Sequence, residues 1–118
     1  MTKQDSVMNA IIFSITSGKK KAGDTLFSKD YDLSPTQMGR VFKTLVEKEI
    51  VYRQKDNSYA LTESCVHNAK EMYLLKIYNS ISEMKILCNA ANLKLKQETM
   101  DLIITDLMIS VRGNANEN

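Results

Sequence analysis

Apolar residues recur at the spacing of an α-helix near the start of the chain. The pattern predicts a first helix over residues 5–17, whose buried stripe is Val7, Met8, Ile11, Ile12 and Ile15. Asp5 or Ser6 is expected to cap its first turn, because a side-chain oxygen there accepts a hydrogen bond from an unpaired backbone N–H. Gly18 lies where a left-handed residue commonly ends a helix.

Two further helices are predicted before residue 50. A short one covers residues 25–31, with Leu26, Phe27 and Tyr31 on its apolar face. The other covers residues 34–49 and has the strongest start signal in the sequence, Ser34-Pro35-Thr36-Gln37. Proline is tolerated at the first helical position, and a serine followed three residues later by glutamine predicts a capping box. Its apolar stripe is Met38, Val41, Phe42, Leu45 and Val46.

The period then changes from helical to that of short strands. Residues 50–54 and 58–62 are rich in β-prone residues, and Lys55-Asp56-Asn57 between them supplies turn residues. This arrangement predicts a β-hairpin. The hairpin is short, so we expect it to depend on packing against the preceding helices.

The helical period returns after Thr62, which is the expected N-cap, and continues to about residue 95. One stripe contains Val66, Ala69, Tyr73, Ile77, Ile81, Met84, Cys88, Ala91 and Leu95. The pattern loses phase and predicts a bend or break within residues 89–99, followed by a second helix to about Val111. Residues 113–118 are a polar tail that we expect to be disordered.

Composition agrees with a mostly helical protein and limits its chemistry. The 118 residues include one proline and four glycines, too few for a turn-rich β-sandwich. The formal net charge of +2 excludes a histone-like bulk charge, and the surplus lies in residues 1–63. No apolar run is long enough to cross a membrane or to form a signal peptide, so a cytoplasmic protein without membrane partners is expected.

Candidate catalytic and metal-binding residues are few. His67 is the single histidine, and with Cys65 it offers at most two metal ligands, so we expect no metal and no cofactor. Nucleophile–base and glycine-rich phosphate-binding patterns do not occur, which argues against an enzyme. Cys65, Cys88, Tyr73 and Tyr78 are open to three interpretations: an effector pocket, a sensor of oxidants or ordinary core. Core is the commoner role for such residues, and no cationic cluster that would activate a thiol lies nearby in the sequence.

The order of the predicted elements resembles a winged helix-turn-helix. The resemblance is most specific in residues 33–38, which resemble the turn and the opening of a recognition helix. Residues 45–53 resemble the passage into the first wing strand, and residues 59–63 resemble the second wing strand and the cap of the next helix. Regulators of the MarR and PadR type and plasmid segregation proteins of the TubR type share these features. The resemblance covers about residues 6–63.

Two positions depart from that pattern. Such proteins commonly have a glycine before the first wing strand, where this chain has Glu49. Since glutamate adopts a positive φ less readily, we expect this turn to be made differently and the wing to be set at an unusual angle. The wing itself, around residues 55–58, leaves little loop to reach a DNA groove.

The resemblance implies contact with double-stranded DNA. On the predicted recognition helix, the expected contacts are Thr36, Gln37, Arg40, Lys43 and Thr44. Arg40 suits the O6 and N7 atoms of guanine, and Gln37 suits the N6 and N7 atoms of adenine. Further expected contacts are Arg53, Lys55 and Asn57 in the wing and the run Lys19, Lys20 and Lys21. The alternative for the residues of the helix and the wing is a solvated surface that serves solubility. The alternative for the lysine run is a helix C-terminal end that the helix dipole favours.

The C-terminal half is expected to form a homodimer. Met72, Leu74, Leu75, Tyr78, Ile86 and Leu87 make a second apolar side opposite the main stripe. A long helix with two apolar sides cannot bury both against a small unit, and two-fold dimers are the commonest assemblies. The predicted dimer contacts are Tyr73, Ile77, Ile81, Met84, Cys88, Leu95, Ile103 and Leu107. An intramolecular helical hairpin is the alternative.

The sequence therefore predicts a mostly α protein with a DNA-binding unit at residues 1–63, a dimerisation region at 64–112 and a tail at 113–118. The expected function is that of a dimeric transcriptional repressor that acts by occupying its site. Its lysine-, asparagine- and isoleucine-rich composition favours a bacterial, plasmid or phage context. Two alternatives stay open: a DNA-segregation adaptor, which also binds a second protein partner, and a winged-helix module that binds protein only.

Overall fold

The structure, a computed structural model, describes residues 2–112 as four helices and a three-stranded antiparallel sheet. In chain order, the elements are α1 (Lys3–Thr16), β1 (Thr25–Leu26), a 3-10 turn (Ser28–Asp30), α2 (Pro35–Glu47), β2 (Val51–Arg53), β3 (Tyr59–Leu61), α3 (Cys65–Ala90) and α4 (Gln97–Arg112). The prediction of a mostly helical chain with a small β-hairpin is confirmed. The predicted tail at 113–118 lies outside the described residues.

Helix α1 begins two residues before the predicted start. Thr2 is its N-cap: the Thr2 hydroxyl accepts from the Asp5 N–H at 3.1 Å, and the Asp5 carboxylate accepts from the Thr2 N–H at 3.3 Å. The prediction that Asp5 or Ser6 caps the helix was therefore wrong, because Asp5 acts as the reciprocal partner in a capping box. The predicted end is confirmed, with Gly18 in the left-handed region at φ 81°.

The helix predicted over residues 25–31 does not form. Thr25 and Leu26 instead pair with Ala60 and Tyr59 of β3, and only one 3-10 turn follows. Backbone hydrogen bonds extend this pairing, since Gly23 N–H donates to the Leu61 carbonyl at 2.9 Å. A seven-residue helix forms too few hydrogen bonds to offset the free-energy cost of its first turn. Pairing with β3 gives the same backbone groups their hydrogen-bond partners.

Helix α2 has both of its ends defined by local hydrogen bonds. At its start, the Ser34 hydroxyl accepts from the Gln37 N–H and the Gln37 side-chain oxygen accepts from the Ser34 N–H, each at 3.1 Å, which confirms the predicted capping box. At its end, the Glu49 N–H donates to the Val46 carbonyl and the Ile50 N–H to the Leu45 carbonyl. These two bonds make a Schellman motif, which requires a left-handed residue between them.

Glu49 is that left-handed residue, with φ 57°. The expectation that glutamate would force a different helix-to-strand turn was therefore wrong. The Glu49 carbonyl accepts from the Thr62 hydroxyl at 2.7 Å and from the Asn68 side chain at 2.9 Å, and Ile50 beside it is fully buried. Contacts from distant parts of the chain thus hold a residue in a conformation that it adopts at a cost. The prediction that Thr62 is the N-cap of α3 was wrong, because the Thr62 hydroxyl donates to the Glu49 carbonyl and α3 begins at Cys65.

The predicted hairpin is confirmed, and its second strand, β3, is the central strand of the sheet. The strand order is β1-β3-β2, and β2 pairs with β3 through Val51 opposite Leu61 and Arg53 opposite Tyr59. At the tip, the Asn57 N–H donates to the Gln54 carbonyl, and Asn57 has φ 68°. Asparagine is one of the residues that tolerate this position in a three-residue hairpin loop.

The core of this part of the chain joins α1, α2, the sheet and the start of α3. Its fully buried side chains include Ile11, Ile15, Val41, Leu45, Ile50, Leu61 and Cys65. Helix α1 packs on α2, and α2 packs on β2. The Phe42 ring of α2 stacks on the Tyr59 ring of β3, with centroids 4.2 Å apart. This contact ties the helix to the hairpin.

The break predicted within residues 89–99 is confirmed, since α3 ends at Ala90 and α4 begins at Gln97. Asn92 takes the left-handed position at φ 57°. Beyond it α4 runs back along α3, because Lys85 donates to the Gln97 side chain at 2.9 Å and Arg112 pairs with Glu71 at 2.8 Å. The two helices therefore form an antiparallel hairpin.

The chain divides into two compact units, the first ending at Ala69 and the second beginning at Lys70. The first turn of α3 therefore belongs to the first unit. The boundary predicted from the sequence lay six residues earlier, after residue 63. Within residues 2–112, no helix combines the length and the apolarity that crossing a membrane requires.

Candidate nucleic-acid interface

Helix α2 has an apolar face and a polar face, and the residue at which the helix starts determines which side chains lie on each. Met38, Val41, Phe42 and Leu45 are buried on one side. Residues three and four apart share a face of a helix, so the opposite side carries Thr36, Arg40 and Lys43, which are exposed. Because the capping box at Ser34 determines where the helix starts, it also determines which side chains lie on this face.

Gln37 and Thr44 lie at the edge of that face and are half-buried. The Gln37 side-chain oxygen is already an acceptor in the capping box, so its amide N–H groups are the groups left to contact a ligand. The Thr44 hydroxyl donates to the Arg40 carbonyl at 3.1 Å. Both side chains therefore have structural hydrogen bonds in addition to any contact with DNA.

Three cationic side chains lie on the surface formed by α2 and strand β2. Arg40 and Lys43 belong to α2, and Arg53 is the last residue of β2. All three are exposed, and among residues 2–112 none of them has an ion pair or a side-chain hydrogen bond. Cations without an internal partner remain available to an anionic ligand.

A groove of about 290 Å³ separates α2 from the hairpin. It brings two predicted contacts together, and its lining is Gly39, Lys43, Val46, Glu47, Arg53 and Tyr59. Gly39, Val46, Glu47 and Tyr59 were not among the predicted site residues. Helical spacing places Gly39 and Val46, seven residues apart, on one flank of α2, but the side on which the hairpin packs is decided by the tertiary structure.

A second groove, of about 630 Å³, lies between the 3-10 turn, the start of α2 and the hairpin tip. Its lining includes Phe27, Tyr31, Pro35, Gly39, Asn57 and Tyr59. Burial, and to a smaller extent the charge of Asp30, raise the pKa of Tyr31 above its usual value, so its phenol stays neutral and can donate a hydrogen bond at physiological pH.

The hairpin tip carries Lys55 and Asn57, both exposed. Asp56 stands between them, and hydrogen bonds from Ser58 lower the pKa of its carboxyl group, so it is ionised at neutral pH. The tip therefore combines one cation with one anion. Asn57 also has a backbone role in the turn, as described above.

The run Lys19, Lys20 and Lys21 lies in the loop between α1 and β1. The Lys20 N–H donates to the Ser14 carbonyl at the end of α1, and the Lys21 N–H donates to the Asp24 carboxylate at 2.8 Å. The last turn of α1 contains no basic residue, so the three lysines lie beyond the helix end. None of the three lines either groove beside α2.

The predicted dimer contacts fall into three groups by exposure. Ile77, Met84 and Ile103 are exposed, whereas Tyr73, Cys88, Leu95 and Leu107 are half-buried. Ile81 is only 7% exposed within a single chain. It lines an apolar groove of about 250 Å³ between α3 and α4, together with Leu74, Ile77, Tyr78, Ile104 and Leu107.

The most exposed apolar side chains of α3 lie away from that groove. Ile86 is 67% and Leu87 is 62% exposed, and neither lines it. Ile77 and Ile86 are nine residues apart, which places them on opposite sides of a helix with 3.6 residues per turn. Helix α3 is thus apolar on two sides, and α4 covers only one of them.

The two cysteines differ in burial. Cys65 is fully buried in the core of the first unit, and desolvation raises the pKa of its thiol. Cys88 is half-buried on α3. Within residues 2–112, no group of three histidine, cysteine or carboxylate side chains is arranged to hold a metal ion.

The sequence matches no protein-family model and no curated protein. Among solved structures, the chain is similar to a GntR family transcriptional regulator from Listeria monocytogenes. The TM-score is 0.62 at 23% sequence identity, over 90% of this chain and 95% of that chain. The order of elements and this similarity together define the fold as a winged helix followed by a helical hairpin. In this chain, α2 is the helix that leads into the β2–β3 hairpin of that fold.

Proposed function

We propose that this chain is a sequence-specific double-stranded DNA-binding protein that acts as a dimeric transcriptional repressor by occupying its site. The carrying observation is the surface of α2 and the hairpin, where Arg40, Lys43 and Arg53 are exposed cations that have no side-chain partner within residues 2–112. With a net charge of only +2, the protein has no general affinity for polyanions, so a local patch must supply it.

The residue types on α2 suit readout of base edges in a major groove. Arg40 has the fork of donors that pairs with the O6 and N7 atoms of guanine. Thr36 lies in the first turn of α2, and the N-terminal residues of a recognition helix are the ones that contact bases. Gln37 would contact adenine N7 through its amide N–H while its oxygen stays in the capping box. Lys43 and Arg53 are placed for phosphates.

A dimer is the second part of the proposal. Leu75, Tyr78, Met84, Ile86, Leu87, Leu102, Ile103 and Ile109 are all about half or more exposed in a single chain. Apolar patches of this kind on soluble proteins mark interaction surfaces. A second copy that covers these side chains would join two DNA-binding units in one particle. Recognition of two half-sites about one helical turn apart, roughly 34 Å, requires two such units.

The test begins with capture of genomic fragments on the purified protein and sequencing of the bound DNA. Binding of the parent and of Arg40→Ala and Lys43→Ala is then measured on the recovered site and on a scrambled duplex across a salt series. Arg40→Ala is expected to cost about 1–3 kcal/mol on the recovered site and to relax the preference at one base pair. Lys43→Ala is expected to weaken binding to both duplexes alike and to reduce the salt slope by about one.

If both variants bind like the parent, α2 does not read DNA and a protein partner becomes the better hypothesis. Recovered sites that occur as a repeated array, instead of one inverted pair, would favour a segregation adaptor over a repressor.

A further inference from the structure

Gly39 has no structural explanation within the fold. It is the fifth residue of the 13-residue helix α2, where glycine weakens a helix relative to alanine. Its φ is not positive, unlike that of Gly18 and Gly23, so its backbone conformation is open to any residue. A Cβ at this position would meet no atom within 4 Å, so close packing does not require glycine either.

The position of Gly39 suggests what the missing side chain leaves room for. Gly39 and Tyr59 line both grooves beside the hairpin, so the bare backbone of α2 lies where the two meet. Lys43 and Arg53 line one of these grooves and supply positive charge from the helix and from the hairpin. Glu47 is the one anion in the same lining.

We infer that one phosphodiester strand of DNA passes over Gly39, with a phosphate held in the groove between Lys43 and Arg53. The inference rests on the proposed function. If α2 lies in a major groove and the hairpin in the adjacent minor groove, the strand that separates those grooves must pass between α2 and the hairpin. Glycine lets a phosphate approach the helix backbone closely, and any larger side chain would occupy that path.

The charges favour a phosphate over an apolar or acidic peptide side chain as the occupant. The lining holds two cations and one anion, and a phosphate can accept hydrogen bonds from both Lys43 and Arg53. Backbone contacts of this kind do not depend on sequence, so a random-sequence duplex is a sufficient probe.

The experiment measures binding of Gly39→Ala and Gly39→Leu to a fluorescently labelled random-sequence duplex about three helical turns long, across a salt series. Gly39→Ala is expected to weaken binding about threefold, and Gly39→Leu about tenfold or more, because the larger side chain displaces the strand. Gly39→Ala is also expected to raise the melting temperature of the free protein by about 3–5 °C through its helix propensity. Binding and stability therefore move in opposite directions.

A double-mutant comparison tests whether Gly39 and Lys43 meet the same phosphate. Lys43→Ala alone is expected to reduce the salt slope by about one. Once Gly39→Leu has displaced the strand, adding Lys43→Ala should change the affinity less than about twofold, because residues that share a partner are not additive. Glu47→Gln is expected to tighten binding about twofold by removing the anion from the groove.

Two controls lie in the same unit and outside the groove. Ala10 is exposed on α1, so Ala10→Leu adds a similar bulk, one methyl group smaller, elsewhere on a helix. Lys48 follows the last residue of α2 and is exposed, so Lys48→Ala removes a similar charge. Both variants should bind within about twofold of the parent.

The outcomes separate this inference from the proposed function. If Gly39→Leu binds like the parent while Lys43→Ala and Arg40→Ala lose affinity, the strand path is wrong and DNA binding by α2 stands. A lower melting temperature for Gly39→Ala would overturn the inference in favour of a packing role. If no variant on α2 changes binding, both the inference and the proposed function fail.

Discussion

The side chain of Asn68 donates a hydrogen bond to the carbonyl oxygen of Glu49 at 2.9 Å, across 19 residues of sequence. Glu49 sits in the left-handed region where α2 ends and the hairpin begins. Helix α3 thereby holds the junction that sets the direction in which the β2–β3 hairpin leaves α2. The conformation of one strained residue is thus linked to the geometry of the candidate DNA-binding surface.

Relief of this strain should stabilise the protein. Glu49→Gly is expected to raise the free energy of unfolding by about 1 kcal/mol, because glycine adopts a positive φ without steric cost. Chemical denaturation measures the change. Lys48→Gly is the matched control: Lys48 has φ −87°, so glycine there brings no relief and should lower stability. A loss of stability in Glu49→Gly would contradict the Schellman geometry.

Gln37 has a structural role in the capping box and a proposed role in DNA binding, and two variants separate these roles. Ser34→Ala is expected to lower stability by about 1 kcal/mol, because the Gln37 N–H loses its acceptor. Gln37→Glu keeps an oxygen for the Ser34 N–H and should leave stability unchanged or higher. The same variant should bind DNA more weakly, since glutamate has no N–H for adenine and adds a negative charge.

Denaturation curves and binding on the recovered site together check this pair. Equal DNA affinity in Gln37→Glu and the parent would show that Gln37 serves only the helix start.

Assembly is testable through the exposed side of α3. Sedimentation of the parent at micromolar concentration should give about twice 13.4 kDa. The double variant Ile86→Glu, Leu87→Glu is expected to sediment as a folded monomer, because both side chains are exposed in a single chain. Ile81→Glu should instead unfold the helical hairpin, since Ile81 is buried within one protomer and an unpaired charge there is costly.

Circular dichroism distinguishes these two outcomes, because only the second variant should lose helix content. A parent protein that remains folded as a monomer at all concentrations would remove the dimer from the proposal.

The two thiols should differ in reactivity. Burial raises the pKa of Cys65, so its thiol stays protonated and inaccessible at neutral pH, whereas Cys88 is half-buried. A chromogenic disulfide reagent should label one thiol in the native parent, faster when the dimer is diluted to monomer, and none in Cys88→Ser. Fast labelling of native Cys88→Ser would contradict the burial of Cys65.

The same shift in pKa predicts a dependence of stability on pH. The contribution of protonated Cys65 is fully present below the pKa of an unfolded thiol, about 8.5, and is lost as pH rises through the higher folded-state value. Stability of the parent should therefore fall more steeply above that pH than stability of Cys65→Ser. A Cys65→Ser, Cys88→Ser variant that folds should retain DNA binding, since neither thiol lies on the α2 surface.

The features that the sequence determined by itself depend on groups only a few residues apart. The capping box of Ser34 and Gln37, the left-handed Gly18, the hairpin turn and the break between α3 and α4 all follow from short-range spacing. Such signals can be read from the sequence because both partners of each hydrogen bond, or one full helical period, lie within a short window.

The tertiary structure decided what depends on distant partners. Residues 25–26 form a strand because their backbone groups pair with those of β3. The Thr62 hydroxyl bonds to the Glu49 carbonyl instead of capping a helix. Packing of the hairpin against one flank of α2 put Gly39 and Val46 in a groove, and packing of α4 on α3 buried Ile81 but left Ile86 exposed. Periodicity places each of these residues on a face of its own helix. Which face meets a neighbour depends on contacts between elements far apart in the chain, and a local pattern of hydrophobic and polar positions does not contain them.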